Sequence, residues 1–227
     1  MEPEVIRKIE RPDPGIVERF GTHNAADVHE AMGKRNAMEP EISLQTSGAP
    51  VCGPATTVRL PAGDNMMIYV GIELAKPGDV LVIEAETTRA ATWGELATRY
   101  AMKKGLAGVV SSGNVRDIDA ITELGFPVFS PAVSQIGAVK ETLGSVNIDV
   151  SVGDVIVSPG DVIVGDTDGV TVVPRDVAGD VADAADAHLK RENGLRERIE
   201  NGESLYEIGG YDNVLVEHGL EPITDTE

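Results

Sequence analysis

From Val80 to Phe129 the sequence alternates twice between a short apolar run and a helical repeat, and few folds accommodate that order. Val80-Leu81-Val82-Ile83 is continuous and β-branched, as in a strand buried on both faces. Thr92 with Glu95 three residues later reads as a capping box. Leu96, Tyr100 and Met102 then supply the apolar positions of a helix that Gly105 stops. Leu106 to Val110 returns to strand, Ile118, Ile121 and Leu124 share a face of a second helix closed by Gly125, and Phe126-Pro127-Val128-Phe129 is the next strand. Strand, helix, strand, helix, strand needs crossovers, so an α/β fold with a parallel βαβαβ core is predicted. Ligands of such sheets gather outside the carboxyl ends of the strands. Glu95, Arg116, Asp117 and the first-turn amides of Leu96 and Ala97 belong at that edge.

Those groups form a coherent chemical set. Unpaired amides at a helix start favour an anion, most simply a substrate carboxylate. The planar fork of Arg116 suits an oxyanion. Asp117 is a hard oxygen ligand of the kind Mg²⁺ takes while keeping several waters, and Glu95 is placed to hold one of those waters. The set reads as a site for a small 2-oxo acid on a metal. Spacing alone also fits a purely structural reading, in which Glu95 completes a capping box, Asp117 meets the positive end of its helix and Arg116 pairs with either.

The flanks frame this core. Residues 1–15 are charged and proline-rich, Thr22 to Met32 is helical, and a strand is expected over about 51–60. Gly63-Asp64-Asn65 reads as a turn with an N-cap before a helix from Met66 to Leu74, although it could border the site. From 145 to 173, short Val/Ile runs separated by Gly-Asp turns predict an antiparallel β meander. After Pro174 a long acidic helix runs from Asp176 to about Glu200, suited to packing on a neighbouring subunit. The expected organisation is therefore an N-terminal segment (1–15), an α/β domain (16–175), a C-terminal helix (176–210) and a flexible tail (211–227).

Charge and composition exclude several classes. With 38 acidic against 19 basic residues the chain carries a net charge of −19, which repels nucleic acid and anionic membrane surfaces. The same balance suits either a high-salt interior or an ordinary acidic protein, and both stay open. One cysteine, Cys52, rules out an intramolecular disulfide and a cysteine metal cluster; between Val51 and Gly53 it reads as a small buried residue. His23 and His29 are poorly spaced for a shared metal. No signal-peptide pattern opens the sequence and no apolar run approaches the roughly 20 residues a bilayer needs, so a soluble cytoplasmic protein is expected. Nucleotide fingerprints and a G-x-S-x-G elbow are absent, and no lysine sits in the apolar setting that Schiff-base chemistry wants.

The ordered motifs Trp93-Gly94-Glu95-Leu96-Ala97, Gly105-x-x-Gly108-Val109-Val110, Gly113-x-Val115-Arg116-Asp117-x-Asp119 and Gly125-Phe126-Pro127-Val128-Phe129 resemble the RraA-like family. The likeness continues through Gly63-Asp64-Asn65, Lys76-Pro77-Gly78-Asp79, Gly160-Asp161 to Val173-Pro174 and Gly202 to Tyr206, covering roughly residues 16 to 208. That family includes the 4-hydroxy-4-methyl-2-oxoglutarate / 4-carboxy-4-hydroxy-2-oxoadipate aldolases. The resemblance implies a swivelling α/β/α domain, assembled as a trimer or hexamer, and a class II aldolase that uses Mg²⁺ or Mn²⁺. It implies that Asp117 ligates the metal, that Glu95 holds a metal-bound water, and that Arg116 with the backbone of Gly94, Glu95, Leu96 and Ala97 holds pyruvate. A glutamate from the neighbouring subunit's C-terminal helix also reaches the metal waters in the family, and Glu192 is the candidate. Oxaloacetate decarboxylation shares the same enolate and is implied as a companion activity.

Two departures from the family pattern stand out. Glu95 occupies the place of an aspartate, with twenty residues between it and Arg116-Asp117, and Ala120 stands where relatives often carry an acid. The resemblance leaves two alternatives open: a non-catalytic regulator that binds a ribonuclease, and a sugar-acid pathway lyase with the same metal–enolate chemistry.

Overall fold

A computed structural model describes residues 2–47, 50–87 and 89–224. The chain divides into two compact units, residues 1–185 and 186–227.

The first unit is built on one sheet. Its strands are β1 (Ser43–Leu44), β2 (Val51–Leu60), β3 (Val80–Ala85), β5 (Gly108–Ser111), β7 (Val128–Ser130), β8 (Ser145–Val146), β11 (Val162–Asp166) and β12 (Gly169–Val173). They run in the order β1-β7-β5-β3-β2-β11-β12, with β8 also paired to β2. The four central strands, β7, β5, β3 and β2, are parallel; the alternation from Val80 to Phe129 predicts the first three, and β2 adds a fourth. Each step in that row is a helical crossover: α3 (Met66–Leu74), α4 (Glu95–Lys104) and α5 (Ile118–Leu124).

The parallel strands hold because both faces are covered. Val80, Leu81, Val82 and Ile83 are all fully buried, and their side chains alternate between two clusters. Leu81 and Ile83 meet Ile68, Ile72, Trp93 and Ala101 on the helical side. Val80 and Val82 meet Phe129, Val150 and Val152 on the other. Burying each such side chain contributes about 1.5–3 kcal/mol, so this strand alone makes its register hard to shift. A third cluster packs α1 (Pro14–Phe20), α2 (Ala25–Ala31) and the start of α6 (Ala178–Glu200) on β11 and β12.

Within this unit the structure departs from the sequence reading in its later strands and in α4. The region 145–173 is not one meander: β9 (Val150–Val152) with β10 (Val155–Val157) forms a separate hairpin, while β11 and β12 join the main sheet through β2. The ladder to β2 wins because it buries Ile163 and Val164 against the sheet. In α4 the inward face is Ala97, Thr98 and Ala101, whereas Leu96 is 77% exposed and Met102 is also largely outside. The small residues let α4 sit close to α3, Tyr100 packs on the same core, and Leu96 and Met102 are turned away.

The second unit contains the end of α6, then α7 (Leu205–Ile208) and α8 (Tyr211–Glu217). The segment expected as a tail therefore carries a helix, held by Tyr206 packing on Tyr211 and by the Asp212 carboxylate, which accepts from the Tyr206 hydroxyl and the Ile223 amide. Residues 225–227 of that tail, and Met1 of the N-terminal segment, lie outside the described residues. No helix among the described residues is long and apolar enough to cross a membrane.

Candidate active site

β3 and β5 end side by side, and both chains run on past the sheet into a second parallel ladder, β4 (Ala91–Trp93) with β6 (Asn114–Val115). That ladder brings the two motifs together. The Arg116 amide donates to the Trp93 carbonyl at 3.0 Å, so Gly94 and Arg116-Asp117 leave the ladder as neighbours. Trp93 is the anchor: it is fully buried, stacks on Phe126, and its indole N–H donates to Thr98 Oγ1 at 2.8 Å. Thr98 in turn donates to the Gly94 carbonyl, which ties the first turn of α4 to the ladder.

The capping box does not form. Thr92 lies buried in β4, with its hydroxyl against Ser111 Oγ and the Asn114 carbonyl, and the N-cap position of α4 is Gly94, which has no side chain to offer. The missing cap comes from across the site: Asp117 Oδ2 accepts from the Glu95 amide at 3.1 Å. Asp117 itself sits at the N-cap of α5 in the left-handed region, φ 60°; its carbonyl accepts from the Ile121 amide at 3.0 Å, but its side chain makes no cap bond to that helix. A non-glycine residue there costs roughly 1 kcal/mol, and the return is a carboxylate aimed at α4.

The site is tight on one side and open on the other. Gly94 is extended, a conformation any residue adopts, but a Cβ there would stand 2.7 Å from Asp117 Oδ2 and 3.2 Å from Arg116 Cγ. Arg116 Nε lies 3.5 Å from the same carboxylate oxygen, with the two side chains 47% and 42% exposed. Asp117 Oδ1 has no protein partner among the described residues. The Leu96 and Ala97 amides, in the first turn of α4, have no partner within their own helix.

All six residues expected at the site, Gly94, Glu95, Leu96, Ala97, Arg116 and Asp117, line one cavity of about 380 Å³. Three further polar residues line it as well: Asn65, from the turn that could border the site, and Tyr69 and Lys140, which the sequence reading did not place there. Asn65 donates to the Thr92 carbonyl at 3.0 Å, while its buried Oδ1 has no partner. Lys140 comes from an extended strap, residues 132–142, whose backbone bonds to Val115, Ala91 and Gly63 in turn. Gly137 of that strap passes so close that a Cβ would lie 3.1 Å from Arg116 Nη1. Only Gly63-Asp64-Asn65 gave a signal for this side of the site, and turn chemistry explained it equally well.

The donor set fits a hard divalent cation. Asp117 presents one free carboxylate oxygen, Asn65, which lines the same cavity, has a buried Oδ1 with no partner among the described residues, and both are hard oxygen donors. Glu95 is turned along its helix, with Oε1 at 2.8 Å from Arg99 Nε. Glu192 belongs to the second unit, on α6, where its carboxylate meets Arg196 and His188.

Residues 24–172 match the family model described as RraA-like: Aldolase/RraA. The chain belongs to the RraA-like family. It is 35% identical over 162 residues to a protein of Halalkalibacterium halodurans named "Putative 4-hydroxy-4-methyl-2-oxoglutarate aldolase", covering 70% of this chain and 77% of the relative. Among solved structures it superimposes on Streptomyces coelicolor RraAS2, titled an unusual member of the RNase ES inhibitor RraA protein family, with TM-score 0.74 and 29% identity over 83% of this chain and 99% of that one. The RNA-processing inhibitor RraA from Thermus thermophilis matches with TM-score 0.62 and 27% identity, covering 67% and 93%. The mixed α/β architecture expected from the motifs is thus that of RraA structures.

Proposed function

We propose that the protein is a divalent-metal-dependent aldolase of class II, which cleaves a 4-hydroxy-2-oxo acid to pyruvate. The observation that carries this reading is one cavity in which Arg116, the free oxygen of Asp117 and the open amino end of α4 converge. The names borne by relatives of the family support the same chemistry. Mg²⁺ or Mn²⁺ held by Asp117, with Glu95 ordering its water, would supply Lewis acidity at the keto oxygen.

The chain's own residues do the rest. The Leu96 and Ala97 amides and the positive end of α4 receive the carboxylate of the 2-oxo acid, with Gly94 leaving room for it. In the reaction the C4 hydroxyl loses its proton, the C3–C4 bond breaks, and the electron pair moves into the pyruvate enolate, which then takes a proton at C3. Arg116 faces the oxygen where that negative charge develops and holds it through charged hydrogen bonds. Lys140 lies across the same cavity and is the natural partner for a second carboxylate on C4. On a chain of net charge −19 these two cations give a dianionic substrate a local place to bind. Loss of CO₂ from oxaloacetate yields the same enolate, so decarboxylation accompanies cleavage.

The active assembly is a trimer or hexamer of this chain. Its support is the second unit, where Leu205, Val214, Val216, Leu220 and Ile223 all stay exposed in the protomer, and Glu192 is the residue offered to a neighbouring copy's metal waters. Sedimentation at working salt tests it, and a monomer would count against it. For the activity, pyruvate release from oxaloacetate and from 4-hydroxy-4-methyl-2-oxoglutarate is measured with Mg²⁺, with Mn²⁺ and with EDTA. Turnover that EDTA abolishes and metal restores is the expected result. Inactivity on every 4-hydroxy-2-oxo acid tried would favour the second reading, a ribonuclease-binding regulator, which the likeness to RNase ES and RNA-processing inhibitors supports. Turnover only with sugar-acid-derived chains would favour a pathway lyase of the same chemistry.

A further inference from the structure

Asp64 stands beside the cavity without lining it, yet it controls a residue that does. Its side chain is 2% exposed and both oxygens are used. Oδ1 accepts from the Met66 amide at 2.7 Å, at the start of α3; Oδ2 accepts from the Glu141 amide at 2.6 Å and the Thr142 amide at 2.7 Å. Lys140 is therefore gripped on both sides. Before it, Val139 exchanges backbone bonds with Gly63 and Asn65 at 2.9 and 3.0 Å; after it, the next two amides end on Asp64.

The strap has little else to hold it. Val133, Ile136, Val139 and Leu143 are all exposed in the protomer, so side-chain burial fixes few of its residues. Backbone bonds do that work, and those around Lys140 all end on Gly63, Asp64 or Asn65. A lysine side chain is long and flexible, so the reach of its ammonium is set by where its backbone stands. An asparagine keeps one acceptor oxygen and sets an amide nitrogen against donors at the other end, so it cannot hold the Met66 amide and the two strap amides together as the carboxylate does.

We propose that Asp64 is a positioning residue for Lys140, and that through the strap it sets the preference for substrates carrying a second carboxylate. This inference rests on the reading of the cavity as a 2-oxo acid site in which Lys140 meets that carboxylate. The metal-side half of the site, Arg116, Asp117 and the start of α4, is held by the β4–β6 ladder and not by Asp64.

The test compares one monocarboxylate with one dicarboxylate. Exchange of pyruvate methyl protons into deuterated water, followed by NMR, needs only the metal-side half. Cleavage of 4-hydroxy-4-methyl-2-oxoglutarate needs Lys140 as well. Asp64→Asn should raise KM for the dicarboxylate about tenfold, the size of one lost charged hydrogen bond, and leave pyruvate exchange within about twofold. Asp64→Glu, which restores a carboxylate, should recover part of the loss. Lys140→Met should raise the same KM, and adding Asp64→Asn to it should change little more, because both act through one contact. Independently of turnover, amide hydrogen exchange at Glu141 and Thr142 should speed up in Asp64→Asn while that of β3 and β5 holds. Equal losses on both substrates, full additivity with Lys140→Met, or unchanged protection of the two amides would each overturn the inference. A wild type that exchanges no pyruvate proton sinks the aldolase reading and the selectivity with it. Normal exchange with unaltered strap protection sinks this inference alone.

Discussion

The sheet carries an arginine–aspartate pair at each end, and the two are built in opposite ways. At the amino end of β3, Arg11 grips Asp79 with two bonds, 2.9 and 2.6 Å, and the same carboxylate also accepts from the Thr56 hydroxyl and the Lys76 amide. Asp79 is 1% exposed and nothing more can be added to it. At the carboxyl end, Arg116 and Asp117 share one long contact of 3.5 Å, both are nearly half exposed, and one aspartate oxygen is free. A saturated pair is a clamp, and an unsaturated one is a place for a ligand. The cavity of about 580 Å³ beside Arg11 is larger than the one beside Arg116, but every polar atom of its buried pair is already spent. Volume alone would have chosen the wrong end.

The contrast breaks most sharply on activity. Arg116→Ala and Asp117→Asn should each lower kcat/KM by about 10³-fold or more with the thermal melt nearly unmoved, since the enolate charge loses its partner while Asn still accepts from the Glu95 amide. Wild-type turnover in either would remove the site. Asp79→Ala should do the converse. It leaves the Arg11 guanidinium mostly buried without its partner, at a cost of about 3–5 kcal/mol read by urea denaturation, with activity per folded molecule retained. Gly94→Ala comes next, because its new methyl group meets Asp117 Oδ2. A loss of about 1–3 kcal/mol in stability or transition-state binding is expected, seen as a lower kcat without loss of secondary structure.

Two smaller effects sharpen the comparison through pH and reactivity. Burial pushes the Asp64 carboxyl up, but amide bonds from Glu141, Met66 and Thr142 and the charge of Lys140 outweigh it and hold it below the usual carboxylate value. A carboxyl depressed in the folded state stabilises above its unfolded pKa, about 3.9, and loses that contribution as pH falls through the folded value. The gap in urea midpoint between wild type and Asp64→Asn should thus be constant above about pH 5 and shrink below about pH 4. At the clamp end, burial pushes the Cys52 thiol up to about 12, so at pH 8 it should react slowly with a thiol reagent until the protein is unfolded. Fast labelling of the native protein would show that end to be open as well.

How much of this could be read in advance varies along the chain. The two crossovers from β3 to β7 were legible because burial on both faces of β3 and β5 writes unbroken apolar runs, and helix ends write glycines such as Gly105 and Gly125, both left-handed here. That Gly94, Glu95, Leu96, Ala97, Arg116 and Asp117 would share one cavity was legible because they follow strands in chain order. The cap of α4 was misread, since Thr92-x-x-Glu95 satisfies the local rule while strand pairing had already claimed Thr92. Lys140 was missed because it lies 23 residues after Asp117 on a strap with no periodicity to announce it, and Asn65, 52 before, stood only in a turn whose local chemistry explained it equally well.

By itself the sequence determined the order of strands and helices, the edge at which polar groups must collect and the signs of charge available there, because backbone geometry and burial act on neighbours along the chain. Only the tertiary structure decided which carboxylate caps which helix, that one arginine–aspartate pair is sealed while the other stays open, and that Lys140 closes the site. Those are contacts between residues far apart in sequence. Their energies depend on distance and exposure, which no local pattern records.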